Sequence, residues 1–113
     1  MIPKVKLKLW CAVEGSHVLC WDIFTGHRLT EFDAAPEADE LQVSAMDVST
    51  EENIVLCGMA NGVVEAFRRI AEGNDFHCVC KFDANCGPVC QLFFCDDHMV
   101  FTLHRKRMGD PGE

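Results

Sequence analysis

The sequence predicts an all-β fold made of small consecutive sheets, and three observations support this prediction. Apolar and polar residues alternate with period two, as in the segment KVKLKLW at 4–10, which is the pattern of strands with one buried face. Turn-forming pairs such as Thr25-Gly26 and Asn61-Gly62 punctuate the chain at short intervals. The same pattern then repeats after about 46 residues, and such an internal repeat is typical of β-folds assembled from similar sheets.

Short apolar runs between the turn signals predict nine strands. They lie at residues 4–12, 17–22, 27–32, 42–48, 53–58, 63–68, 76–82, 88–95 and 98–104. The segment nearest to a helical pattern is VEAFRRIAEG at 64–73, but the Asn61-Gly62 pair before it favours a hairpin. Many short strands at even spacing are typical of a sandwich, a barrel or a propeller.

The internal repeat narrows this choice. Shifted by about 46 residues, LWCAVEGSHVLCW at 9–21 aligns with VLCGMANGVVEAF at 55–67, which places Trp21 on Phe67. After a slightly longer loop, FDAAP at 32–36 aligns with FDANC at 82–86. A period of this length predicts the blades of a β-propeller.

The segment HVLCWDIFTGHRLTEFDA at 17–34 resembles a WD repeat, with Trp21-Asp22 closing the third strand of a blade and Thr25-Gly26 turning the chain outward. Asn61-Gly62 fits the tight turn between the second and third strands of the following repeat. The chain therefore resembles the WD-repeat β-propeller family, as a fragment of a larger scaffold or regulatory protein. The resemblance implies structural roles for Trp21, Asp22, Asn61, Gly62 and Phe67, with Trp21 and Phe67 both buried.

This resemblance implies an incomplete ring of about two and a half four-stranded blades, whereas a closed propeller has about 4–8. We expect residues 1–107 to form this partial propeller, with repeat joints near 36–42 and 85–88, and residues 108–113 to be a disordered tail. Flanking repeats or self-association would then have to close the ring. Six apolar residues are expected to lack full cover at the two ends: Val5, Leu7, Leu9, Met99, Phe101 and Leu103.

Family repeats often carry a buried set of hydrogen-bonded Asp, His, Ser or Thr, and Trp residues, and this sequence departs from that pattern. Gly15 and Asn61 stand at the turn position of Asp, and Cys11 and Cys57 stand at the Ser or Thr position. We therefore expect the blades to be stabilised mainly by apolar packing rather than by a polar network.

Charge and composition exclude some classes of function. The net charge of −8 opposes general nucleic-acid binding. The start of the chain has no signal-peptide pattern and no run is long enough to span a membrane, so membrane contact is not expected. Eight cysteines without a secretory signal indicate reduced thiols, and we expect a cytoplasmic protein.

The acidic stretch DAAPEADEL at 33–41 is the candidate partner-binding segment. Loops of this class lie on the top face of a WD propeller, and Asp33, Glu37, Asp39 and Glu40 would attract a protein partner with a basic surface. The alternative is a solvated loop whose charge maintains solubility.

Function then follows from the resemblance, which implies a non-catalytic protein–protein interaction module or scaffold without a cofactor. The alternative is a small zinc-binding domain, with Cys78 and Cys80 on one strand face as part of the ligand set. Its clustered thiols are Cys78, Cys80, Cys86, Cys90 and Cys95. Buried, unpaired thiols are the simpler interpretation of all eight cysteines. Catalysis has one weak candidate, Cys95 near His98.

Overall fold

The chain folds into three antiparallel sheets in a computed structural model that describes residues 7–13, 16–35, 41–70, 75–96 and 99–106. Sheet A comprises β1 (Lys8–Val13), β2 (His17–Asp22) and β3 (Arg28–Asp33). Sheet B comprises β4 (Val43–Val48), β5 (Ile54–Met59), β6 (Val63–Arg69) and β7 (Phe76–Asp83). Sheet C comprises β8 (Val89–Asp96) and β9 (Met99–His104).

Every predicted strand is present, with ends that differ by a few residues from the prediction. Strands that follow one another in sequence pair within each sheet. The predicted tail at 108–113 lies outside the described residues, as do the first residues of the first predicted strand. Within the described ranges, no helix is long and apolar enough to cross a membrane.

The repeat seen in the sequence recurs in the backbone geometry. In sheet A the register between β2 and β3 shifts between Cys20 and Trp21, and in sheet B the register between β6 and β7 shifts between Ala66 and Phe67. These two positions correspond under the sequence alignment. The turns that follow also correspond, because Oδ1 of Asp33 accepts from the Ala35 amide at 3.2 Å and Oδ1 of Asp83 accepts from the Asn85 amide at 2.8 Å.

Sheets A and B pack face to face, and this A–B interface contains the larger hydrophobic core. Val18 and Phe32 of sheet A contact the buried side chains of sheet B, among them Val55 and Phe67. The Phe32 ring lies 4.7 Å from the Phe67 ring and 5.6 Å from the Phe76 ring, measured between centroids. Apolar burial of this kind, supplemented by offset ring contacts, is the main stabilising contribution in the chain.

Sheet C covers the other face of sheet B. Leu56 of β5 packs against Val89 and Leu92 of β8 in this B–C interface. Two polar contacts join the sheets, because the Ser44 hydroxyl donates to the Val89 carbonyl and the Phe94 amide donates to Oδ2 of Asp47 at 2.7 Å. β5 is therefore covered on both faces, which accounts for its nearly continuous apolar sequence, IVLCGM.

The expectation that Trp21 and Phe67 are both buried is wrong for Trp21. Phe67 is 4% exposed, but Trp21 is only half-buried. Trp21 pairs with Leu9 on the face of sheet A that points away from sheet B. The two positions correspond in the repeat, but no sheet formed by the described residues covers that face of sheet A.

The two outer faces of the stack expose apolar side chains. The open face of sheet A carries Leu9 and Val13, which are 49% and 43% exposed. The open face of sheet C carries Phe93, Phe101 and Leu103, with the two Phe rings stacked at 5.5 Å. Leu7 and Met99 are also exposed, so the expectation of uncovered ends is confirmed for five of the six residues, and Val5 lies outside the described residues.

Replacing Phe67 with Ala should lower the free energy of unfolding by about 3–5 kcal/mol, because the substitution leaves a cavity in the A–B interface. Trp21→Ala should cost clearly less, since its side chain is only partly buried. Urea unfolding followed by far-ultraviolet circular dichroism measures both values. Equal losses for the two variants would contradict the assignment of Trp21 to an open face.

Gly62 is required at the turn between β5 and β6 for two independent reasons. Its φ of 93° lies in the left-handed region, and an added Cβ would lie 2.7 Å from the Gly87 carbonyl oxygen. The Gly62→Ala variant should therefore lose about 1–3 kcal/mol of unfolding free energy. Gly26→Ala is the matched control, because its φ is 75° but nothing lies within 4 Å of the added Cβ. A larger loss at Gly26 would show that the contact with Gly87 is unimportant.

Candidate functional site

The Trp-Asp and Asn-Gly positions have local structural roles. Oδ1 of Asp22 accepts hydrogen bonds from the amides of Phe24 and Thr25, at 2.9 and 3.2 Å, and so stabilises the turn that leads to β3. Oδ1 of Asn61 accepts from the Val63 amide at 3.1 Å. Both are Asx-type turns, in which a short side chain substitutes for a backbone acceptor.

Of the four predicted partner-binding acids, Asp33 is the one that the structure describes. It ends β3, and its carboxylate accepts from the Ser16 hydroxyl as well as from the Ala35 amide. Glu37, Asp39 and Glu40 lie outside the described residues. Asp33 therefore has a structural contact with the β1–β2 turn in addition to any contact with a partner.

A cleft of about 510 Å³ opens between sheets A and B. Its lining includes Asp33 and Ala35 before the part of the acidic stretch that lies outside the described residues, and Leu41 after it. Its walls include the aromatic rings of the A–B interface, and its polar lining includes Glu65 and Lys81. A concave site with apolar walls and a few polar groups is typical of a ligand site.

Glu65 was not selected by the sequence analysis, but it is the most unusual charged residue of this cleft. It is 3% exposed, lies on β6 between Val63 and Phe67, and pairs with Lys81 through one oxygen at 3.3 Å. Its other oxygen, Oε2, is buried and accepts no hydrogen bond from the described part of the chain. In the sequence, Glu65 stands at a position that the period-two pattern assigns to apolar residues.

A second polar group joins sheets A and B away from the cleft, around Glu52. Its carboxylate accepts from Lys8 Nζ at 2.9 Å and from the Trp10 indole at 3.4 Å, and its carbonyl accepts from Arg69 at 2.7 Å. Burial alone would raise the pKa of Glu52, but these hydrogen bonds and the positive charges of Lys8 and Arg69 lower it below its ordinary value. The resulting stabilisation is present at neutral pH and is lost as the pH falls through the lowered pKa.

The clustered cysteines do not come together as metal ligands. Among the residues that the structure describes, no group of three or more His, Cys, Asp or Glu side chains is placed to hold a metal ion. The expectation that Cys78 and Cys80 share a strand face is wrong. Cys78 pairs with Phe67 and Cys80 with Ala66, because a bulge at Val79 inserts one residue, so the two thiols lie on opposite faces.

All eight cysteines are unpaired, but the expectation that they are buried is wrong for five of them. The exposed thiols are Cys78, Cys80, Cys86, Cys90 and Cys95. Cys78 and Cys80 lie on β7, the outer strand of sheet B, whereas Cys90 and Cys95 lie on β8 of the two-stranded sheet C. Sequence alternation does not distinguish such strands from the doubly covered β5.

Cys57 is the most strongly protected thiol. Burial, with smaller contributions from the neighbouring Glu65 and Cys78, raises the pKa of the Cys57 thiol to about 12. Because the thiolate is the reactive form, this residue is inert near neutral pH. For the catalytic alternative, Cys95 is exposed on β8 and His98 lies outside the described residues.

Alkylation with iodoacetamide at pH 8 should modify the five exposed thiols rapidly and leave Cys57 unmodified until urea is added. Peptide mass spectrometry after timed quenching gives the rate at each cysteine. Cys90 is the internal comparison, because it is exposed and lies on the neighbouring sheet. Alkylation of Cys57 at the rate of Cys90 would contradict its burial in the A–B interface.

The comparison with solved structures supports this fold. No protein-family model and no curated protein sequence matches the chain. Two solved structures are similar to it, the WD40 repeats of RRP9 and the structure of U3-55K, each with a TM-score of 0.68 and 15% identity over 84% of this chain. The chain spans only 28% and 29% of those two chains. The three sheets therefore have the fold of WD40 propeller blades, in an incomplete ring.

Proposed function

We propose that the chain is a non-catalytic protein–protein interaction module whose working form is a larger propeller. The open faces of sheets A and C are the surfaces that further blades would cover. Asp22, Asp33 and Glu52 serve turns and contacts between sheets, so the proposal assigns them no catalytic role.

The observation that carries this proposal is the burial difference between equivalent residues. Leu9 and Val13 of sheet A correspond in the repeat to Val55 and Met59 of sheet B. Val55 and Met59 are completely buried by sheet A, whereas Leu9 and Val13 are about half-exposed. A further blade on the open face of sheet A would bury the same kind of side chain in the same register.

Two observations favour a further blade as the occupant of these faces. The open face of sheet A has the apolar pattern that sheet B presents to sheet A, and the similar WD40 structures continue well beyond the length of this chain. Apolar patches of this kind are otherwise costly in water and promote association.

We propose that the functional partner is a protein with a basic surface. The net charge of −8 would steer such a partner towards the molecule. The acidic residues Asp33, Glu37, Asp39 and Glu40 would provide the local attraction. We also propose a cytoplasmic location, because five unpaired thiols at the surface suit a reducing compartment.

In the absence of further blades, a second copy of the chain is expected to substitute for them. Sedimentation velocity over a broad concentration range should therefore show concentration-dependent association of the wild-type chain. Leu9→Glu and Phe101→Glu each place a charge on one open face and should shift the population towards monomer. The control is Val79→Glu, because Val79 is exposed on the outer strand of sheet B rather than on an open end face.

A wild-type chain that stays monomeric at every concentration and melts in one sharp two-state transition would contradict the proposal. An equal effect of Val79→Glu would also count against it, because association would then depend on general hydrophobicity rather than on the open faces.

A further inference from the structure

The A–B cleft contains a buried carboxylate oxygen that lacks a hydrogen-bond donor. Glu65 lies on the cleft wall, and among the residues that the structure describes nothing donates a hydrogen bond to its buried Oε2. Buried charged oxygens are normally satisfied, so an orphaned one in a cleft requires a specific explanation. The fold itself supplies Lys81, which is largely exposed and lies 3.3 Å from Oε1.

The lining of the cleft combines apolar side chains such as Phe32, Phe67 and Leu41 with polar ones. A cation with its own apolar stem fits this lining, because its stem would contact the rings and its tip would reach the carboxylate. The last torsion of a Glu side chain is broad, so a small rotation turns Oε2 towards the open part of the cleft.

The charge and shape of the cleft favour a lysine side chain. Asp33 and Glu65 line the wall against the single cation of Lys81, so the described lining has an excess of negative charge that attracts cations. Lysine has a flexible aliphatic stem that packs on apolar surface while its ammonium group remains at a polar site. Because Lys81 already occupies Oε1, one oxygen remains, which suits a single ammonium donor better than the two-pronged guanidinium of arginine.

We propose that the A–B cleft binds a lysine side chain of a protein partner, with Oε2 of Glu65 accepting a hydrogen bond from its ammonium group. This site deepens the proposed function, since it rests on a partner with a basic surface. It also assigns Glu65 as a binding residue rather than a residue that stabilises the A–B interface.

The direct test uses n-butylammonium chloride as a probe, because it reproduces the stem and the tip of lysine. Titration into the ¹⁵N-labelled full chain should produce saturable shifts in the amide resonances of Glu65, Phe67 and Ala35. Neutral n-butanol and sodium chloride, at the same concentrations, should produce no saturable shifts at these positions. Shifts that are absent, or equal for n-butanol, would overturn the proposal.

Glu65→Gln should weaken butylammonium binding by about tenfold or more, because the charge-assisted hydrogen bond is lost. Glu31→Gln is the matched control, since Glu31 is an exposed carboxylate of β3 outside the cleft lining. The thermal midpoint of Glu65→Gln should equal or exceed that of the wild type. The reason is that a charged binding group in a buried position lowers the stability of the free protein. Unchanged binding, or a large fall in the midpoint, would assign Glu65 a structural role.

A capped peptide with one lysine among glycine and serine residues distinguishes a protein partner from a free amine. The peptide should give the same saturable shifts, and its acetyl-lysine analogue should not. Binding of butylammonium alone, with exclusion of the peptide, would overturn the assignment to a protein side chain. Association through the open faces does not involve Glu65, so Glu65→Gln should associate like the wild type in sedimentation velocity. A failure of the cleft site would therefore leave the proposed association through the open faces standing.

Discussion

The structure depends on the burial of both faces of a sheet, and sheet B is the sheet in which both faces are buried. β5 is buried on one side by sheet A and on the other by sheet C, which makes it the most buried strand of the described chain. Each sheet supplies an apolar face that has to pack against another layer to be removed from water. The stability of the chain therefore resides in the two interfaces between sheets, and the outer faces of sheets A and C have the same composition without the same cover.

Two carboxylates near the A–B interface illustrate different uses of buried charge. Glu52 is surrounded by donors, and its lowered pKa reflects a group that the fold satisfies and that links β1 to the β4–β5 turn. Glu65 is buried more deeply but has one partner and one orphaned oxygen. The first arrangement is what a stabilising contact between sheets needs. The second leaves an unmet interaction in a concave site, which is the basis for assigning it to a ligand.

Period-two alternation and turn residues predicted all nine strands, because both are local properties of the chain. The repeat alignment also predicted equivalence of Trp21 and Phe67, which recurs in the position of the bulge. Burial was less predictable, since it depends on whether another sheet lies opposite, and Trp21 has none among the described residues. The bulge at Val79 moved Cys80 to the opposite face from Cys78, and the sequence FHCVCKFD has no clear polar–apolar break that would locate the inserted residue.

The candidate site was only partly accessible from the sequence. The acidic stretch was evident as a local run of charge, whereas the cleft forms from two sheets that are distant in sequence. Glu65 carries a sequence signal only once its strand face is known, because a carboxylate in an alternating strand is ordinarily on the wet side. Its assignment therefore required the register of β6 against β5 and the packing of sheet A.

Gly58 sets how closely sheets B and C approach each other. An added Cβ at this position would lie 2.5 Å from Cγ1 of Val89, so the absence of a side chain allows sheet C to approach β5 closely at this point. A bulkier residue would hold sheet C away from β5, so the spacing between these two sheets depends on a single missing side chain.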